Sequence, residues 1–580
     1  MSSKRHIIKG TGVSAGIAHG TAYVLACTER AAAPRRSIAD EEVEAELARF
    51  ESALDRAERE LLHLKGDVAE RIGRDEADIF LAQALVVRDR SFHAQVSDIV
   101  RGKRVNTEAA LAEVIERFTH NFDTLADAYL RERAADIRDV GRRVLDALIE
   151  RSAPDNVLDV PRGSIVVTDE LLPSSTARLE LDKVRAFVTE RGGKFSHTSI
   201  LARSMRTPAV TGVTEASLKI KTGDRLIVDG MSGVVFINPD DRVRAEYDRL
   251  ESELRRYQAG LRELVDLPSV TRDGTPIPLF ANVSKLADTE AATLYRAEGI
   301  GLYRTEFSFS VRGQFPSEDE QFEILRLAAE RIAPRKVVLR LLDIGGDKTL
   351  PYFPQPASRN PSLARRGIRL LLDHPEVLER QLRAFLRVSG LYPVSILLPV
   401  VGGVEEVRQT RAIIRRLGDE LSAAGIAFDQ SVAVGAMIEV PSAALLTPAL
   451  AKEVDFFSLG TNDLVQYVLA ADREDETVAE YYLPHHPGVL RLLKFVADSA
   501  RDAERPLTIC GEMAGDSTYT ALLLGLGLRA FSVAPGEMLD VKHAIRNTVM
   551  DEAKQLAARA LEMGTAAEVE TLLKLRMGTV

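Results

Sequence analysis

From Ser37 onward, Val43, Leu47, Phe50, Leu54, Ala57, Leu61, Leu64 and Val68 recur at alternating steps of four and three residues. With 3.6 residues per turn, that spacing lines one face of a helix and predicts a long amphipathic element. Ser37 followed by Asp40 reads as its N-cap, and helical pattern with few glycines or prolines continues to about Ile149. The period then changes. Ser164 to Thr168, Lys183 to Thr189, Leu226 to Val228 and Val234 to Ile237 are short β-branched runs that read as strands. Thr21 to Leu25 is a candidate first strand of the same sheet, which would make the helical stretch an insertion into a small α/β domain. After Pro239, Val243, Tyr247, Leu250, Leu254, Tyr257, Leu261 and Leu264 return to helical spacing until Pro268, predicting a helical linker.

Eight apolar runs then alternate with helical pattern: Ile277 to Val283, Ile300 to Tyr303, Val337 to Leu342, Ile396 to Val400, Val432 to Ile438, Phe456 to Leu459, Leu507 to Ile509 and Ala530 to Val533. That number and alternation predict a (β/α)8, TIM-like barrel. The chain is therefore expected to be multi-domain α/β. Residues 1–30 and 155–238 form a swivelling α/β domain, 31–154 a helical insertion, 239–267 a linker and 268–580 the barrel.

Composition narrows the function. At 580 residues with 45% hydrophobic and 28% charged residues, the chain is too long for one core, in line with several domains. A net charge of −10, with basic residues dispersed, argues against nucleic acid or an anionic membrane surface as partner. Between Ile38 and Ile79 there are 14 acidic against six basic side chains, either a solvated helix face or a docking hairpin for a basic partner. The start of the chain lacks a signal-peptide core and no apolar run reaches spanning length, so a cytoplasmic protein is expected. Cys27 and Cys510 are too few and too far apart for a disulfide framework.

The reactive residues fall in two places. Gly192-Gly193-Lys194-Phe195-Ser196-His197-Thr198-Ser199 sets a histidine at what reads as the first turn of a helix, where backbone N–H groups and the hydroxyls of Ser196, Thr198 and Ser199 suit a phosphorylated imidazole. Taken alone, His197 is more readily read as an ordinary structural histidine. The second group decides between these readings, because Arg304, Arg340, Asp343, Glu439, Asn462, Asp463, Cys510 and Glu512 all fall at the ends of the expected barrel strands, the face that carries barrel active sites. Glu439 and Asp463 can hold one Mg²⁺, and Arg304, Arg340, Arg366 and Arg473 can clamp a phosphate and a carboxylate. Asn462 adds an amide donor, and Cys510 a thiol able to protonate a carbon centre.

Gly299-Ile300-Gly301-Leu302-Tyr303-Arg304-Thr305-Glu306-Phe307, Asp343-Ile344-Gly345-Gly346-Asp347-Lys348, the run from Asp455 to Leu464 and Cys510-Gly511-Glu512-Met513-Ala514-Gly515 resemble the phosphoenolpyruvate-utilising enzymes. With Ser196-His197-Thr198, the order resembles the phosphoenolpyruvate-protein phosphotransferases, enzyme I of the bacterial sugar phosphotransferase system. The resemblance implies that His197 is the phosphorylated histidine. It also implies that Arg304, Arg340, Asn462, Asp463 and Arg473 bind phosphoenolpyruvate, that Glu439 and Asp463 bind Mg²⁺, and that Cys510 is the proton donor for pyruvate. It further implies that the helical insertion docks the phosphocarrier protein HPr and that the barrels pair into a homodimer. Phe195 and Val465 depart from the family pattern, which usually has a small hydroxyl residue and a threonine there. A pyruvate phosphate dikinase would need an ATP-binding domain for which the chain has no room. A Mg²⁺-dependent lyase would leave His197 without a use, and a non-catalytic scaffold would not need Cys510 and the acidic pair together.

Overall fold

The computed structural model describes residues 6–25, 35–71, 80, 83–84, 87–88, 90–123, 128–149, 160–171, 176, 179–193, 196–205, 207–310, 314–346, 348, 350, 352–356, 358–473, 475 and 477–577. The chain divides into two compact units, Met1–Tyr257 and Gln258–Val580.

In the first unit, β1 (His6–Lys9), β2 (Thr11–Ser14), β3 (Ile17–Val24), β4 (Ser164–Thr168), β5 (Val184–Thr189), β6 (Ala209–Thr211), β7 (Arg225–Asp229) and β8 (Val234–Ile237) form one mixed sheet in the order β1-β8-β7-β3-β4-β5-β6-β2. The strand expected at Thr21 to Leu25 is β3, which lies inside the sheet, antiparallel to β7 and parallel to β4 with Thr21 opposite Ser164. A parallel pair needs a long crossover. Here the crossover from β3 to β4 is the helical segment, so that segment is inserted into the α/β fold. Alternation along β4 and β5 sends Ile165, Val167, Ala186 and Val188 to one apolar core and Val166 and Phe187 to another, so both faces of the sheet are covered.

The inserted helices are α1 (Val43–Arg71), α2 (Arg90–Lys103), α3 (Thr107–Asp123) and α4 (Ala128–Leu148). The apolar stripe of α1 from Val43 to Leu61 is buried against Val96, Val100, Leu111, Val114, Val140 and Val144, which is why the four-three spacing was informative. The side chain of Val68 lies outside the described residues. The cap differs from expectation. Ser37 is drawn into a β-bridge with Val105, and Ala39 is the N-cap of a single 3-10 turn, Asp40–Glu42, that leads into α1. The Glu42 carboxylate reaches back to accept from the Ala39 N–H at 2.7 Å, the role a capping-box acid performs.

α5 (His197–Ser204) follows β5, and α6 (Asp241–Glu263) is the helix expected between Pro239 and Pro268. Within the first unit Tyr247 meets Phe236 of β8 edge-on at 5.1 Å, holding the start of α6 against the sheet.

In the second unit, β9 (Leu279–Val283), β10 (Gly299–Tyr303), β11 (Lys336–Arg340), β12 (Val394–Leu398), β13 (Ala433–Ile438), β14 (Phe456–Gly460), β15 (Leu507–Cys510) and β16 (Phe531–Val533) close into a parallel barrel. Each of the eight apolar runs overlaps one strand. The fourth ends two residues early because Val400 takes a left-handed φ of 54°, costly for a β-branched residue and incompatible with a continuing strand. Leu302, Val338, Leu397, Met437, Phe456 and Cys510 pack together inside the barrel, and a larger apolar cluster joins its strands to the surrounding helices. Among the described residues no helix is long and apolar enough to cross a membrane.

Candidate active site

His197 is the first residue of α5, as its sequence setting indicates, while its side chain lies outside the described residues, as do Lys194 and Phe195. Ser196 is the N-cap, and its Oγ accepts the Ser199 N–H. The hydroxyls of Ser196 and Ser199 both donate to the Gly193 carbonyl, at 3.0 and 2.6 Å. Those two hydroxyls, read from sequence as donors beside the imidazole, thus tie the glycine turn to the helix start. Thr198 and Ser199 are buried.

The barrel residues gather where the strand order predicts. Arg304 lies one residue beyond β10, Arg340 ends β11, Glu439 lies one residue beyond β13, and Cys510 ends β15. Asn462 and Asp463 stand in the first turn of α7 (Thr461–Leu469), directly after β14, and Arg473 follows that helix. All are at strand C-terminal ends or in the segments that follow them. Gly460 makes room for this arrangement, since a Cβ there would come within 2.8 Å of Glu439 Oε2.

Glu439 is almost fully buried, and Oε1 accepts the N–H of Val400 at 2.6 Å. The strained turn at Val400 therefore aims a donor at this carboxylate. Burial, then the neighbouring charges of Asp463 and Asp343, push the Glu439 carboxyl up to about 7. Burial also opposes ionisation of Asp463, but Arg366 and Lys348 outweigh it and hold that carboxyl below its usual range. Two buried carboxylates that repel each other fit a hard divalent cation, whose charge relieves that repulsion.

Arg340 is buried. One nitrogen donates to Glu306 Oε1 at 2.6 Å and another meets the Met437 sulfur at 3.6 Å, while Nε has no partner among the described residues. A buried guanidinium with an unengaged donor is suited to an incoming anion. Asn462 is oriented by Glu512, whose N–H donates to Asn462 Oδ1 at 2.8 Å. Cys510 is buried with Sγ 3.4 Å from both the Ser458 hydroxyl and the Leu459 carbonyl, and burial pushes its thiol up to about 11. The thiol is consequently protonated at neutral pH.

Residues 9–133, 160–233 and 258–550 match, in that order, the N-terminal, mobile and PEP-binding domains of the PEP-utilising enzymes. The phosphoenolpyruvate-protein phosphotransferase of Haemophilus influenzae is 40% identical over 98% of this chain and 98% of its own length. That of Staphylococcus carnosus is also 40% identical, over 98% of each chain, and that of Bacillus subtilis 39%, over 98% of this chain and 99% of its own. The chain belongs to this phosphotransferase family. It is accordingly a phosphoenolpyruvate-protein phosphotransferase by family, with a barrel of the kind the PEP-binding domain match covers.

Within this phosphotransferase the barrel also contains groups whose part was not legible in the sequence. Glu306 and Asp343 sit in motifs quoted above, yet only the structure shows Glu306 Oε1 accepting from both Arg340 and the Asp343 N–H, at 2.6 and 3.0 Å. Lys348 reaches Asp343 at 2.9 Å. Arg366, grouped from sequence with the substrate-clamping arginines, has its fork against the carboxylates of Asp343 and Asp463. Val465 is buried in the apolar cluster that joins the barrel strands to the surrounding helices.

Proposed function

We propose that the chain takes the phosphoryl group of phosphoenolpyruvate onto His197, releases pyruvate, and passes the group to a histidine of the phosphocarrier protein HPr, the first step of the sugar phosphotransferase system. The observation that carries this reading is the buried Glu439 and Asp463 pair beside a protonated Cys510 and a guanidinium with an unengaged nitrogen, in a chain of this family. Glu439 and Asp463 would hold Mg²⁺, which when bound supplies positive charge to the phosphate and enolate oxygens.

Arg304, Arg340 and Arg473 bind the phosphate and carboxylate of the substrate, with Asn462 donating its amide hydrogen and Asp463 completing the substrate-binding set. The neutral imidazole of His197 attacks phosphorus. A P–N bond forms, the bond from phosphorus to the enol oxygen breaks, and the electron pair stays on the enolate. The methylene carbon then takes the Cys510 proton, giving pyruvate, and the thiolate regains a proton from water. The carrier domain, residues 1–30 and 155–238, swings about the 239–267 helix between the barrel and HPr, which docks on helices 31–154. The barrels pair as homodimers, as the family resemblance implies, and the protein works in the cytoplasm.

The test is incubation with labelled phosphoenolpyruvate and Mg²⁺ without nucleotide, followed by addition of purified HPr. Acid-labile label on the protein that moves to HPr is expected. A requirement for ATP, or no label on either protein, would refute the reading.

A further inference from the structure

Arg366 has 1% of its side chain exposed. Its Nε and Nη2 donate to Oδ1 and Oδ2 of Asp343 at 2.8 and 2.9 Å, and its Nη2 and Nη1 reach Oδ2 and Oδ1 of Asp463 at 3.0 and 3.4 Å. One planar group is thus wedged between two carboxylates. Asp343 is itself fully buried and is held by Lys348 at 2.9 Å and by Arg340 at 3.4 Å. Gly345 permits the close approach: it has a φ of 105°, and a Cβ there would lie 2.2 Å from the Arg365 carbonyl, so a side chain would force away the segment that delivers Arg366.

We propose that Arg366, braced by Asp343, is a positioning residue that fixes the plane of the Asp463 carboxylate for a divalent cation, and that it does not serve as a ligand of the phosphoryl group. The inference rests on the reading of Glu439 and Asp463 as the cation's ligands. A fork that meets both oxygens of a carboxylate sets its orientation as well as its charge, which an ammonium cannot do. Groups that orient metal ligands typically contribute about 10–100-fold to metal affinity. Charge alone predicts the reverse sign. Removing a cation beside the ligand would tighten metal binding, whereas loss of positioning weakens it.

The experiment is titration of the full-length protein with Mn²⁺, followed by electron paramagnetic resonance, in the absence of phosphoenolpyruvate. Arg366→Lys keeps the charge but loses the fork, and is expected to weaken Mn²⁺ binding roughly 10-fold. The double variant Asp343→Asn/Arg366→Gln removes both charges, leaves no lone member of that buried pair, and is expected to show a loss of the same size. It decides the matter if Arg366→Lys does not fold, as judged by circular dichroism and the unfolding midpoint. Unchanged or tighter Mn²⁺ binding in these variants, with a raised KM for phosphoenolpyruvate, would make Arg366 a substrate ligand and overturn the proposal. Asp463→Asn separates the two levels: if it abolishes Mn²⁺ binding while the double variant binds normally, only the positioning role fails. If Asp463→Asn also binds Mn²⁺ normally, the cation-site reading fails and the positioning role with it.

Discussion

The turn that bears His197 and the mouth of the barrel solve opposite problems. At the turn, the groups that hold the backbone among the described residues are neutral: two serine hydroxyls share the Gly193 carbonyl, and Ser196 caps α5. At the barrel mouth the polar groups are charged, buried and interlocked, with Asp343 alone meeting Arg366, Lys348 and Arg340. Buried charges are stable only when partnered, and once partnered they cannot reorganise at low cost. That suits a site where charge develops on a bound substrate, because preorganised dipoles and charges stabilise it without having to move. A group that must accept a phosphoryl group and then give it away is better served by a turn held through neutral groups, which do not trap the anion. On the proposed function, chemistry falls to the barrel and carriage to the turn.

The largest expected effect tests that division. His197→Ala should abolish labelling by phosphoenolpyruvate altogether while Mn²⁺ titration of the barrel stays at the wild-type value, since the variant leaves Glu439 and Asp463 in place. Label retained on another histidine would break the division. Next in size is Arg340→Lys, which removes the unengaged buried Nε and the fork while keeping a charge against Glu306. Loss of a preorganised donor of this kind costs roughly 10²–10³-fold in turnover. Steady-state pyruvate release should show the fall in both kcat and kcat/KM, with the unfolding midpoint little changed.

Cys510→Ala comes third, at roughly 10²-fold slower pyruvate formation, the lower end for loss of a general acid. The sign of its pH dependence follows from burial. The thiol is pushed up to about 11, so the protonated donor is present throughout the neutral range and is lost only as pH rises through that value. Pyruvate release by the wild type should fall in that alkaline region, and the fall should vanish in the variant. An unchanged rate in Cys510→Ala would assign the proton to water.

How far each region was legible follows from the range of its interactions. The barrel could be read because each strand is a local apolar run, and the helical insertion because one stripe repeats every turn. The start of α1 could not, since Ser37 is taken by Val105 from a distant segment and the cap passes to Ala39 with Glu42. Candidate chemistry was legible as residues at strand ends. The division among the arginines was not, since Arg340 keeps an unengaged nitrogen while Arg366 is enclosed by Asp343 and Asp463, and no spacing along the chain encodes which guanidinium meets which carboxylate. The serines beside His197 are the converse case: their proximity was evident, but their shared acceptor was not.

The smallest effect sharpens that last point. Ser196→Ala removes an N-cap oxygen and should cost about 1 kcal/mol locally. Because Ser199 still donates to the Gly193 carbonyl at 2.6 Å, the turn should hold and His197 phosphorylation should slow only a few-fold. Ser196→Ala/Ser199→Ala leaves that carbonyl without either hydroxyl, so the pair should lose more than the two single losses combined, as groups sharing one acceptor do. Hydrogen exchange of the amides in α5, read alongside the labelling rate, separates the outcomes. Faster exchange with slower labelling supports a neutral scaffold for the carrier histidine. Slower labelling with unchanged exchange would mean that the hydroxyls act on the phosphoryl group directly, and the contrast between a neutral carrier turn and a charged barrel mouth would then weaken.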